Sequence, residues 1–257
     1  MTIRFSRLKH IARSPAHYLY NLTHDLPDTL PLRRGRYIHW KLLGAAPDGN
    51  KPFAVYEGGD RRGKEWTAFA AAHEACDIVK ASEVEEWDAV VAAIRADPFA
   101  AKYLARDVRT ERRVTATMHG RVCSGTIDLL SEGVFIGDPK TTRDATVERF
   151  DRDAWRLEYP AQLAWYRDLC VAAGIDPGPE TIIIAAETSA PYPVVVRRLT
   201  AAALDEGRRR YRSWLDVLAS CEAAQTWPGP AQTVVDLDVP TWMQQTEVDE
   251  DEESEDE

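Results

Sequence analysis

The sequence predicts an α/β (α+β) fold: a mixed central β-sheet flanked by helices, with a helical N-terminal elaboration and an acidic C-terminal tail. Three observations carry that expectation. Alanine-rich and amphipathic stretches dominate the first hundred residues. From about residue 110 the apolar period shortens and β-branched residues crowd together, as strands require. A helix-like segment then separates these strands from two more, "TIIIAAET" and "YPVVVRRL".

Taken in order, "SRLKHIARS" reads as a short amphipathic helix, and "GRYIHWKLLG" as a helix bounded by Gly35 and Gly44. Residues 45 to 62, rich in Gly, Pro and Asp, read as a long exposed connection. "GKEWTAFAAAHEACDIVKA" reads as one alanine-rich helix. Ser82 and Glu85 form a capping box ahead of "EEWDAVVAAIRA". Asp97 and Pro98 supply a cap and a first-turn proline for "FAAKYLA". "TERRVTATM", "RVCSGTIDLL" and "VFIGDPKTT", separated by turns at His119-Gly120 and Ser131-Glu132-Gly133, predict a three-stranded antiparallel meander. "YPAQLAWYRDLCVAAG" has Pro160 in its first turn and Gly174 past its end, the punctuation of one helix. Thr200 opens a last helix reaching about Cys221. The predicted organisation is one domain over 1–228, with a helical part over 1–107 and a catalytic core over 108–222, followed by a Pro-containing and then acidic, disordered tail over 229–257.

The 257 residues, 44% hydrophobic and 29% charged, suit one elaborated soluble domain. No run approaches the ~18 apolar residues of a spanning helix. The N-terminus lacks the apolar stretch of a signal peptide. No membrane partner and a cytoplasmic location are therefore expected. Cys76, Cys123, Cys170 and Cys221 lie far apart without a C-x-x-C pair, so reduced structural thiols are expected rather than zinc or an iron-sulfur cluster. The net charge of -10 is uneven: residues 247–257, EVDEDEESEDE, hold nine acids and no base. The remaining body is near neutral, and its Arg clusters at Arg33, Arg34 and Arg36 and at Arg208 to Arg210 leave room for a basic surface.

The chemistry-bearing stretch is "GTIDLLSEGVFIGDPKTT", residues 125 to 142. In a strand, side chains alternate faces, so Asp138 and Lys140 project the same way, and Asp128 can join them from the neighbouring strand. Two carboxylates held close repel unless a cation lies between them, and hard oxygen ligands suit Mg²⁺ or Mn²⁺. A lysine beside such a metal can orient water and offset charge developing on a phosphate. Solvent-facing hairpin residues are the competing reading.

This segment resembles the PD-(D/E)XK nuclease superfamily, whose core sets an aspartate on one strand and an acid-x-lysine on the next, here Asp128 and Asp138-Pro139-Lys140. "QLAWY" resembles the Q-x-x-x-Y motif of the RecB/lambda-exonuclease-like branch and places Gln162 and Tyr166 four apart on one helical face. "GRYIHW" resembles the helix that supplies this branch's histidine ligand, at His39, and "TERRVTA" matches a strand with an acid at Glu111. Ser6, Lys9, Ser14, Pro15 and Tyr18 make the chain most similar to phage and prophage exonucleases of the RecE (exonuclease VIII) type.

The resemblance implies a two-metal-ion deoxyribonuclease using Mg²⁺ (or Mn²⁺), with His39, Glu111, Asp128, Asp138 and the Pro139 carbonyl as ligands. Lys140 would position the attacking water, and Gln162 and Tyr166 would orient Lys140 or a phosphate. It further implies 5'-to-3' digestion of double-stranded DNA ends in phage-type recombination by a ring-shaped homo-oligomer, trimer or tetramer, with a single-strand annealing protein as partner. A RecB- or CRISPR-adaptation-like nuclease of other polarity and a non-catalytic DNA-end-binding module stand as alternatives. So do blander readings: His39 packed beside Trp40, Glu111 in a surface charge pattern with Arg112 and Arg113, and Gln162 with Tyr166 as a polar helix edge. Pro139 removes a ladder donor, which predicts a bent or locally unpaired strand. The tail is expected either to solubilise or to imitate nucleic acid against the basic surface.

Overall fold

A computed structural model describes residues 1–24, 28–44 and 52–239. The central sheet holds six strands: β1 (Ile3–Arg4), β4 (Arg109–Met118), β5 (Arg121–Ser131), β6 (Phe135–Thr142), β7 (Glu180–Glu187) and β8 (Val194–Arg198). The strands β4, β5 and β6 form the expected antiparallel meander, β7 joins β6 in parallel, and β8 returns antiparallel. A separate parallel pair, β2 (Phe53–Tyr56) with β3 (Asp77–Lys80), lies off this sheet. Helices α1 (Phe5–Leu8), α2 (Pro15–Thr23), α3 (Leu30–Leu43), α4 (Gly63–Ala72), α5 (Ala81–Ala96), α6 (Pro98–Leu104), α7 (Val147–Arg156), α8 (Tyr159–Ala172) and α9 (Ala201–Ala224) complete the described chain.

Alternation along β7 feeds two cores. Ile183 and Ala185 face one side with α8 and α9, whose Trp165, Tyr211 and Leu218 are fully buried. Ile182, Ile184 and Ala186 face the other side with Tyr37 and Ile38 of α3 and Val90 and Ile94 of α5. Covering both faces of a mixed sheet in this way is the layered solution expected for such elements.

The crossing of α8 and α9 depends on Gly207. A Cβ there would lie 2.4 Å from the Pro160 carbonyl oxygen and 2.8 Å from Ala161 N, backbone atoms that cannot rotate away. Gly207→Ala is therefore expected to destabilise the fold by about 1–3 kcal/mol through overpacking, offset only partly by alanine's ~1 kcal/mol better helix propensity. Urea titration should show a lower midpoint with an unchanged slope.

Several local expectations fail for identifiable reasons. The alanine-rich helix stops at Ala72, and Asp77–Lys80 becomes β3 because Val79 is buried completely beneath α5. Tertiary burial of β-branched residues outweighs alanine propensity there. The connection predicted over 45 to 62 contains β2; its residues 45–51 lie outside the described ones. Ser82 sits inside α5, whose start is secured instead by Glu83 accepting the Lys80 N–H at 2.8 Å. The first helix is only one turn and passes into a 3₁₀ turn at Lys9–Ala12. The sequence assigns no element to β1 or α7. Asp97, by contrast, accepts from Phe99 N and Ala100 N, as a cap should. Residues 229–239 have no regular structure, and residues 240–257, including the acidic stretch, lie outside the described ones.

Candidate metal centre and active site

The site follows from a fork in the sheet. β5 pairs with β4 along nearly its whole length, but with β6 only at Leu129↔Gly137, Leu130↔Ile136 and Ser131↔Phe135. Beyond Leu129 the edge of β5 departs from β6 and is met by β1 at Cys123 and Ser124. Asp128 and Asp138 are the first residues of the two strands past the point of separation, so neither has a ladder partner on the other strand, while Asp138 stays in register with Ile183 of β7.

Pro139 becomes intelligible at this fork. A strand residue turns its N–H and C=O toward the same edge, and the Pro139 carbonyl accepts a hydrogen bond from His39 Nε2 at 2.8 Å. The amide hydrogen that proline lacks would face the unpaired edge of β6, so pairing with β7, Pro139↔Ile184 included, continues without loss. The strand is unpaired on one side only.

The Pro139 carbonyl can only accept, so His39 Nε2 carries the ring proton and Nδ1 presents its lone pair. That nitrogen lies 3.4 Å from Asp128 Oδ2 and 3.9 Å from Glu111 Oε1. His39, Glu111 and Asp128 each place a ligand atom within 4.8 Å of the others. Glu111 stands across from Asp128 at the one position the β4–β5 ladder skips, with a φ of 50°, a left-handed conformation unfavourable for a residue other than glycine. Backbone strain at a cluster of convergent side chains is a recurrent property of working sites.

Asp138 is wholly buried, with Oδ2 2.6 Å from Lys140 Nζ. Lys140 Nζ also lies 4.9 Å from the ring centre of Tyr159. On the face above, Gln162 Nε2 donates to Tyr166 Oη at 3.0 Å. Tyr166 fits because β5 has glycine beneath it: a Cβ on Gly125 would be 2.7 Å from the ring.

The electrostatics separate the acids. Burial, then the charge of Asp138, pushes Asp128 well above the ordinary carboxylate range. Burial pushes Asp138 up as well, but Lys140 and a hydrogen bond from Asp128 more than offset it, leaving Asp138 below that range. Burial and Asp138 raise Glu111 to about 7. Burial lowers the pKa of His39, favouring neutral imidazole. Burial alone would lower Lys140, yet Asp138 and Asp128 raise it, so it keeps its proton. Burial, with the nearby Asp128 and Asp138, raises Tyr166.

The donor set fits a hard divalent cation. It offers carboxylates and one neutral imidazole, and the buried Glu111 Oε1 and Asp138 Oδ1 have no hydrogen-bond partner. The Pro139 carbonyl holds the far nitrogen of His39, the usual support of a ligating histidine. All eight sequence-predicted residues thus surround one fork: His39, Glu111 and Asp128 converge as a group that could hold a cation, whereas Asp138 is engaged by Lys140, Pro139 by His39 and Tyr166 by Gln162. Sequence reasoning gave no role to Lys9 or Tyr159. Lys9 is pushed down by burial and then by the nearby charge of Lys140. Its presence in the N-terminal motif was the available signal.

Metal uptake should depend on pH in a defined direction. Glu111 must lose its proton to ligate, so Mn²⁺ affinity is expected to fall about tenfold per pH unit for each proton displaced as pH drops below about 7. In the metal-free protein the raised Glu111 pKa contributes stability below 4.5 that is lost as pH rises through about 7. The metal-induced rise in melting temperature should accordingly grow from pH 6 to 8; a rise independent of pH would remove Glu111 from the cluster.

Among the described residues no helix is long and apolar enough to cross a membrane. No curated protein matches the chain. Among solved structures, a Eubacterium rectale protein with an exonuclease assignment aligns at a TM-score of 0.63 and 12% identity, covering 93% of this chain and 91% of its own. A phage-related exonuclease from Haemophilus somnus is 14% identical over 88% of this chain and 97% of its own, at a TM-score of 0.37. The first of these likenesses shows a shared fold. Residues 4–235 match the family described as a PDDEXK-like domain of unknown function (DUF3799), a span that includes the whole fork and both layers around it, and the chain belongs to that family.

Proposed function

We propose that the chain is a metal-dependent nuclease that hydrolyses phosphodiester bonds in DNA. The observation that carries this reading is the pairing, at one fork, of a buried Asp138–Lys140 ion pair with the His39, Glu111 and Asp128 cluster. A divalent cation held by those three side chains would polarise a phosphate oxygen and lower the pKa of a bound water. Lys140 is a poor general base, because its pKa is raised and the amine stays an ammonium. It instead orients the attacking water and offsets charge developing on the phosphate. Asp138 holds Lys140 in place, Tyr159 packs beside the ammonium, and the Gln162–Tyr166 pair closes the side of the fork formed by α8.

The finer reading is a 5'-to-3' exonuclease on double-stranded ends, acting in recombination as a ring-shaped homo-oligomer with an annealing partner. It is supported by the likeness of Ser6, Lys9, Ser14, Pro15 and Tyr18 to the RecE-type motif. In the fold, Ser14 caps α2 and Tyr18 stacks on Trp227, structural tasks that do not bear on polarity. End-labelled linear duplex incubated with Mg²⁺, Mn²⁺ or EDTA tests the proposal. Metal-dependent release of labelled nucleotides is expected, with the labelled end giving the polarity. Binding of duplex ends without digestion in any metal would replace the enzyme with an end-binding module.

A further inference from the structure

We infer that a cleft running from Lys140 along the end of β6 grips the phosphodiester backbone of the DNA strand, with Arg34, Arg143 and Arg149 as its phosphate-binding side chains. The inference rests on the nuclease reading and extends it to residues that reading does not use.

The cleft encloses about 800 Å³. It is lined by Tyr159, whose ring adjoins Lys140, by Thr141, Thr142 and Arg143, and by Arg34 of α3 and Arg149 of α7. Arg143 lies three residue steps beyond Lys140, a path of about 10 Å at ~3.3 Å per strand residue. A strand whose scissile phosphate sits at the fork therefore reaches the cleft with its neighbouring phosphates.

Charge accounting singles out these three arginines. The clusters that the sequence offers as basic surface are largely neutralised: Arg33 and Arg36 pair with Asp28 and Asp77, Arg208 with Asp168, and Arg209 and Arg210 with Glu206. Arg34, Arg143 and Arg149 have no ion pair among the described residues, and Arg34 Nε is buried without a hydrogen-bond partner. The cleft's own acids are already engaged. Asp144 Oδ1 accepts from Thr146 N and Oγ1, and Asp153 accepts from Arg156. Three guanidinium groups gather around one cleft with Glu86 near Arg34 and Asp144 near Arg149 but neither in ion-pair contact, and burial, then the nearby charge of Arg143, makes the charge on Arg34 less favourable. A polyanion relieves that repulsion, and the planar guanidinium fork matches phosphate oxygens in pairs. Such contacts position a strand without reading its bases.

The test is binding of a fluorescent duplex in EDTA, where digestion is stopped, across a salt series. Arg143 and Arg149 are exposed, so the double variant Arg143→Gln/Arg149→Gln should melt as wild type does. Each phosphate contact contributes a slope of about -0.9 to log K against log salt, so the double variant is expected to lose a slope of up to about 2 and at least tenfold in affinity at low salt. The lysine pair, Arg143→Lys/Arg149→Lys, should restore most of the slope. Superimposable slopes in wild type and double variant would overturn the inference. So would a thermal shift of the wild type by inorganic phosphate with no change in the duplex slope, which would make the cleft a free-phosphate site. Failure of the parent reading looks different: wild type would not digest DNA in any metal. Digestion by wild type with unchanged slopes would sink the cleft alone.

Discussion

Asp138→Asn is expected to lower metal-dependent hydrolysis of linear duplex DNA by on the order of a thousandfold, the equivalent of ~4 kcal/mol of transition-state stabilisation. The substitution keeps shape and removes the charge that fixes Lys140 at 2.6 Å. It leaves the fold standing because a compensating acid is at hand. Burial, and then the charge of Asp138, raises the Asp128 pKa; with that charge gone the pKa moves back toward the ordinary carboxylate range, which favours Asp128 as the counterion of Lys140. Asp138→Ala lacks this neatness, since Asp138 is fully buried and truncation leaves unfilled space beside an ammonium. Single-turnover digestion separates chemistry from binding, and duplex affinity in EDTA should stay within a fewfold of wild type. Digestion by Asp138→Asn at the wild-type rate would remove the fork from the mechanism.

The parts of this site that are legible in the sequence are those set by local rules. Period two along β6 puts Asp138 and Lys140 on one face, the spacing of four puts Gln162 and Tyr166 on one face, and Pro160 with Gly174 brackets α8. The fork is not local. It exists because β1, only two residues long, takes the edge of β5 that β6 has left, and a two-residue strand gives no periodic signal. The same holds for the division of labour around His39. The residues are visible in the sequence, but only the hydrogen bond between His39 and the Pro139 carbonyl, a hundred residues away, shows which ring nitrogen faces the acids. Lys9 is obscured for a related reason: it leaves a one-turn helix, where amphipathic spacing cannot say what the side chain meets. The Arg208 to Arg210 run shows the opposite error, because composition counts cations and cannot count their partners.

Lys140→Met should separate catalysis, stability and metal binding in one protein. Methionine is unbranched and fills a similar path, so packing is largely kept while the ammonium disappears. In the metal-free protein that leaves the Asp138 carboxylate buried without its cation, and breaking a buried pair by removing one partner costs about 3–5 kcal/mol. The loss has a pH signature. In wild type Lys140 stays charged across pH 5 to 8, and the depressed Asp138 pKa contributes stability present above the unfolded carboxylate value and lost only in stronger acid. In the variant the Asp138 pKa rises instead, so the carboxyl takes up a proton as pH falls and part of the lost stability returns. The gap between variant and wild type is therefore expected to be wide at pH 8 and narrow at pH 5. Mn²⁺ should narrow it at pH 8 by supplying the missing positive charge, without restoring hydrolysis, because the group that orients the water is gone. Urea titrations at both pH values, with Mn²⁺ and with EDTA, measure all of these differences. A gap of equal size at pH 5 and pH 8 in EDTA would mean that Lys140 stabilises the fold by packing alone, and the ion pair would lose its place at the centre of the site.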